Sequence, residues 1–166
     1  MRIHSITYPD ANNGLGFRVT LWVSGCVHHC KGCQNQETWD FNSGREFTDE
    51  DKNKIFDILF LPYIKGITFS GGDPLCSYND VLSLMKEIKN KFPEKDIWVY
   101  TGYTIEFIKE HFDEMLNYVN FIVDGKFIEE QKDVSLPFRG SKNQRIWEKA
   151  ENGEFIRSKI ENKAAN

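Results

Sequence analysis

The sequence holds little that would take it to a membrane or onto a nucleic acid. Its longest apolar segment, residues 55–64, contains Asp57 and Pro62 and is too short to cross a bilayer. The first residues, Met1-Arg2-Ile3-His4-Ser5, lack the apolar stretch of a signal peptide, so a cytoplasmic protein is expected. Charge of one sign is nowhere concentrated: 21 Lys and Arg stand against 25 Asp and Glu, a net charge of −4, with no basic stripe to follow a phosphate backbone. Neither nucleic acid nor membrane is therefore expected as a partner. Internal repeats, low-complexity stretches and any linker dividing two domains are absent as well. The 166 residues suffice for one domain with a real core. That domain is expected over residues 1–149, with a polar, Lys-rich and partly disordered tail at 150–166.

Cysteine is scarce, at 4 residues, but its placement is uneven. Cys26, Cys30 and Cys33 fall in the run Ser24-Gly25-Cys26-Val27-His28-His29-Cys30-Lys31-Gly32-Cys33-Gln34-Asn35, a C-x3-C-x2-C spacing. Crowding of this kind argues for metal ligation in a reducing compartment rather than for a disulfide scaffold. Thiolate-rich sites select zinc or iron–sulfur clusters. A 4Fe–4S cluster normally takes four cysteines, so three would leave one iron open to a substrate. A structural zinc completed by His28 or His29, or an electron-carrying cluster completed by Cys76, are the competing readings. Cys76 stands apart in the sequence and by itself reads as a small packing residue.

The C-x3-C-x2-C spacing, followed by Thr68-Phe69-Ser70-Gly71-Gly72-Asp73-Pro74-Leu75, resembles the radical S-adenosylmethionine (SAM) superfamily. Further downstream come Thr101-Gly102-Tyr103, Asp124-Gly125-Lys126-Phe127 and the run Phe138-Arg139-Gly140-Ser141-Lys142-Asn143-Gln144-Arg145. In this order the set resembles the activating enzymes of anaerobic (class III) ribonucleotide reductase, over most of the chain. That resemblance implies a 4Fe–4S cluster on Cys26, Cys30 and Cys33 and SAM on the open iron. The product would be a 5′-deoxyadenosyl radical that makes a glycyl radical on the reductase. It also implies a reductant such as reduced flavodoxin and a homodimer. The alternatives within the superfamily are activation of another glycyl-radical enzyme, such as pyruvate formate-lyase, or chemistry on a small molecule. Outside it stands a non-enzymatic iron–sulfur or zinc protein.

Strands and helices alternate. A strand is expected at 18–23, a helix capped by Thr48, a strand at 66–70, a helix from about Val81 to Lys91 and a strand at 97–100. A helix capped by Thr104, with Ile105, Ile108, Phe112 and Met115 on one face, precedes a strand at 119–123. This alternation predicts an α/β fold with a largely parallel sheet. A full eight-unit barrel takes about 250 residues, so an open partial (βα) barrel of the radical SAM type is expected. Every motif follows a strand, which gathers the candidates at one rim, where such folds bind ligands.

Within that rim, Gly71 and Gly72 allow close backbone approach, and Asp73 either accepts the ammonium of SAM or shapes its loop. By the resemblance, Asp124 and Lys126 sit beside the SAM carboxylate with Lys126 as counter-ion, and Asn35 hydrogen-bonds near the cluster. Thr101 lines the same end. No catalytic residue is expected beyond the cluster and SAM sites. His28 and His29 read as loop residues that tune the cluster from outside its ligand set. Gly32 departs from the superfamily, many of whose members carry an aromatic residue there against adenine. The run 138–145 is left without a role, except that Arg145 could pair with a carboxylate.

Overall fold

The computed structural model describes residues 1–162, and residues 163–166 of the expected tail lie outside it. Its frame is one eight-stranded sheet, open at both edges, in the order β3-β1-β2-β4-β5-β6-β7-β8. The strands are β1 (Arg2–Asp10), β2 (Phe17–Val23), β3 (Arg45–Glu46), β4 (Ile64–Gly71), β5 (Asp96–Tyr100), β6 (Phe121–Asp124), β7 (Arg145–Lys149) and β8 (Phe155–Arg157). Helices α1 (Asp49–Phe60), α2 (Tyr78–Lys91) and α3 (Ile105–His111) connect the central strands.

The expected parallel sheet is the central half of the observed one. β2, β4, β5 and β6 pair in parallel, whereas β1 on β2, β3 on β1, β7 on β6 and β8 on β7 are antiparallel. The sheet as a whole is mixed. Antiparallel neighbours need no crossover helix, so the outer strands carry none of the alternation that marks the middle ones.

Side-chain alternation along the strands divides the molecule into two faces. Val19, Leu21 and Val23 of β2, Ile67 and Phe69 of β4, Ile97 and Val99 of β5 and Ile122 of β6 pack with the helices into the main core. Between them, Arg18, Thr20, Trp22, Thr68, Ser70, Trp98 and Tyr100 point to the opposite face. That second face is polar and aromatic, with a small core of Trp98, Val123, Ile146 and Ile160 towards β7. Arg18 is fully buried on it. Its Nε donates to Thr68 Oγ1 at 2.8 Å and its Nη1 to Leu15 O at 2.9 Å, while Nη2 reaches Ile67 O at 2.9 Å and pairs with Asp96. A buried cation is tolerable when each of its nitrogens finds a partner and a carboxylate pairs with it in this way.

The helix expected after Thr104 stops at His111, and Asp113–Asn117 continues as a tighter 3₁₀ turn. Its cap is as expected, with Thr104 Oγ1 accepting from Phe107 N–H. Ile105, Ile108 and Met115 still reach the core across the break.

Candidate functional site

The turns that leave β2, β4, β5 and β6 meet over the polar face, around an open cavity of about 500 Å³. Cys26, Cys30, Cys33 and Asn35 line it from the turn after β2, and Gly71, Gly72 and Asp73 from the turn after β4. Thr101 and Gly102 come from the turn after β5, and Gly125 and Phe127 from that after β6. Asn12 and Asn13, in the β1–β2 connection, line it too, with Asn13 O held by Thr68 Oγ1 at 2.7 Å. Eight of the ten sequence candidates thus converge; Asp124 and Lys126 do not line the cavity.

The turns after β2 and β4 are sewn together through their backbones. Gly72 N–H donates to Val23 O and Asp73 N–H to Gly25 O, both at 2.8 Å. A Cβ on Gly72 would lie 2.3 Å from Gly25 O, so this close approach requires glycine. Gly25 itself adopts a φ of +100° immediately before Cys26.

Asp73 is nearly inaccessible, at 1% exposure, and its carboxylate gathers donors from three turns. Oδ1 accepts from Leu75 N–H at 2.9 Å and Thr101 Oγ1 at 3.0 Å; Oδ2 accepts from Gly102 N–H at 2.8 Å. His28 Nε2 lies 2.8 Å from the same Oδ2. A carboxylate only accepts, so Nε2 carries the proton. Of the two roles open to Asp73, shaping the loop is the one these bonds display.

The three motif thiols are free, and they line one cavity. Burial pushes the Cys26 thiol up, opposed by backbone N–H groups of His28 and His29. Burial likewise raises Cys30, opposed by the Phe127 N–H and the nearby Lys126 charge. Asn35 donates its backbone N–H to Cys33 Sγ at 3.4 Å; its recorded tie to the motif is thus main chain, not side-chain amide. Thiols aimed at by backbone N–H groups, and lying on one cavity wall, fit cluster ligands: metal displaces the proton that burial favours, and N–H···S bonds then stabilise the thiolates. Among the described residues no three His, Cys, Asp or Glu side chains surround a single ion-sized point. Cys76 lies outside the cavity lining, and burial followed by the Asp73 charge pushes its thiol up to about 11.

Asp124 is fully buried and fixed elsewhere: Oδ2 accepts from Ile105 N–H at 2.7 Å and Oδ1 from Arg145 Nε at 2.9 Å. Arg145 also pairs with Glu106 at 2.8 Å, which holds that carboxyl down to about 2. Lys126 is exposed and near Cys30. Gly32 has a φ of +72°, and a side chain there would run into Glu129.

Sequence reasoning missed part of the wall. Phe138, Arg139, Gly140 and Gln144, from the run left without a role, line the cavity, as do Tyr100, Trp22 and Trp39. Among the described residues, Arg139 Nε and Tyr100 Oη are buried donors without a partner. Only the inward phase of β5 could have flagged Tyr100.

A family model described as a 4Fe–4S single cluster domain matches residues 12–147. The anaerobic ribonucleoside-triphosphate reductase-activating protein of Vibrio cholerae is 46% identical over 150 residues, covering 88% of this chain and 97% of that one. The protein of that name from Escherichia coli is 45% identical over 148 residues, 87% and 96% of the two chains. Its counterpart in phage T4 is 46% identical over 143 residues, 84% and 90%.

Proposed function

Because this chain belongs to the family of anaerobic ribonucleoside-triphosphate reductase-activating proteins, we propose that it installs the glycyl radical of an anaerobic ribonucleotide reductase. The observation that carries the reading is the meeting of three free cysteines and the Gly71-Gly72-Asp73-Pro74 turn in one open cavity. In this reading Cys26, Cys30 and Cys33 hold a 4Fe–4S cluster. A reduced cluster held there would supply one-electron chemistry, the reductive cleavage of SAM to methionine and the 5′-deoxyadenosyl radical that would take a hydrogen atom from a glycine Cα of the reductase.

The chain's own residues do the rest. The Gly71-Gly72 backbone lets the amino-acid end of SAM lie close to the sheet, and Asp73 with Thr101 keeps that turn in place. Lys126, beside Cys30, offsets the negative charge of the SAM carboxylate, and Asp124 anchors the turn that carries it. Asn35 steadies Cys33. The sheet acts as the open partial barrel of a radical SAM enzyme, its mouth wide enough to admit a partner segment. Residues 1–149 serve as the activase domain and the segment from 150 as its tail. A homodimer in the cytoplasm, reduced by flavodoxin or a similar donor, completes the proposal. Among the described residues no helix is long and apolar enough to cross a membrane.

The test is electron paramagnetic resonance of the reductase after anaerobic incubation with reduced protein and SAM. A doublet from the remaining Cα hydrogen is expected, collapsing towards a singlet when the reductase carries α-deuterated glycine. Normal SAM cleavage with no radical on the reductase would overturn the assignment. Single Cys26→Ala, Cys30→Ala or Cys33→Ala replacements should abolish the intact cluster and SAM cleavage, whereas Cys76→Ala should keep both. Iron content and 5′-deoxyadenosine yield check this.

A further inference from the structure

His28 sits between two of the cysteines and lines the cavity with them, and its ring reaches across to the turns after β4 and β5. Its Nε2 lies 2.8 Å from Asp73 Oδ2, and the two side chains are 6% and 1% exposed. The ring meets Tyr103 edge-on at 4.5 Å. Gly102 leaves the room it needs: a Cβ there would come within 2.3 Å of His28 Cδ2. One face of the imidazole therefore packs on the Thr101-Gly102-Tyr103 turn while its edge donates to the turn after β4.

Backbone bonds already join the chain before Cys26 to the turn after β4. They fix the start of the cysteine loop and leave its middle to side chains. His28 is the residue in that middle stretch with a buried tie to both other turns. Burial of both side chains keeps water from competing for the bond.

We propose that His28 is a positioning residue, which through Asp73 sets the cysteine loop in register with the turns that receive SAM. It lines the cavity, and its part is to act through Asp73, fixing the distance between the cluster and SAM sites, rather than to ligate either group. This inference rests on the SAM reading above.

The experiment compares His28→Phe, which keeps ring packing but removes the donor, with His28→Gln, whose Nε2 can reach the same oxygen. Each reconstituted protein is assayed for iron and for SAM affinity by equilibrium binding. The resonance spectrum of the reduced cluster is recorded with and without SAM. The unaltered protein should show a SAM-dependent change in that spectrum; absence of any change there would defeat the SAM reading itself. His28→Phe should hold about four irons per chain yet bind SAM roughly tenfold to a hundredfold more weakly, with the spectral change reduced. His28→Gln should recover most of both. Unaltered SAM affinity in His28→Phe overturns the proposal. So does a loss of iron or of SAM binding that His28→Gln fails to restore.

Discussion

Single residues here do work that their motifs alone do not assign. Gly72 reads in the sequence as a place where a ligand can come close, but the atom nearest its missing Cβ is Gly25 O, 2.3 Å away. The glycine therefore serves the joint between two turns before it serves a ligand. Gly72→Ala should accordingly lower iron retention as well as SAM affinity, which iron assay and equilibrium binding on one sample would show; full iron with weak SAM binding would mean that only ligand approach matters. Asp124 and Lys126 divide in a similar way. They are two residues apart, yet one carboxylate is buried against Ile105 N–H and Arg145 while the ammonium is exposed beside Cys30. Asp124→Ala strips a buried partner from Arg145, itself about three-quarters covered, and should cost about 2–4 kcal/mol in urea unfolding. Lys126→Ala should shift stability by no more than about 0.5 kcal/mol and show itself in SAM binding instead. A sequence pattern names the two residues together because their spacing is fixed, and it is silent on which of them the surrounding chain will bury.

Elements were legible in proportion to how much of their stability is local. The start of α1 was readable because its chemistry lies within four residues: Thr48 Oγ1 accepts from Asp51 N–H, and Asp51 returns a bond to Thr48 N–H. The central strands were readable because they are rich in β-branched and aromatic residues, the types that suit a pleated sheet. β1, β3, β7 and β8 were not, because charged or polar residues such as Arg2, His4, Arg45 and Glu148 interrupt them and only a neighbouring strand makes them regular. The cap of α1 carries a pH signature as well. Arg45, donating to Asp51 Oδ1 at 2.6 Å, holds that carboxyl down to about 2, with Thr48 helping. A folded-state value below the unfolded 3.8 means stabilisation that is full above about pH 4 and lost as pH falls towards about 2. The stability gap between the unaltered protein and Asp51→Asn should therefore be widest near neutrality and close over that acid range, as measured by urea unfolding at a series of pH values. A gap independent of pH would show that the cap holds through geometry alone.

At the scale of the whole molecule, one wall of the cavity is braced by the last part of the described chain. The sequence reads the segment from Ala150 as a polar tail, yet β8 pairs with β7 and Ile160 packs with Trp98, Val123 and Ile146. Glu161 follows, its side chain 8% exposed, and there it meets Arg139 Nη1 at 3.4 Å and Arg157 Nη2 at 2.5 Å and accepts from the N–H of Ile146. Arg139 belongs to the cavity wall, and its neighbour Phe138 stands edge-on to Trp98 at 5.5 Å. A carboxylate far along the chain thus holds the wall segment that follows β6, by contacts no local pattern announces. If the tail were an appendage, Glu161→Ala would change stability by no more than about 0.5 kcal/mol, as at most surface positions. Removing a buried partner of Arg139 should instead cost about 2–4 kcal/mol. Because Arg139 then keeps only backbone acceptors, Gln144 O and Glu161 O, SAM affinity should fall in the same variant with the iron content unchanged. Lys159→Ala, an exposed change two residues earlier in the same turn, should alter neither. Loss of stability with unaltered SAM affinity would place Glu161 in the scaffold alone and leave the wall at Arg139 to hold itself.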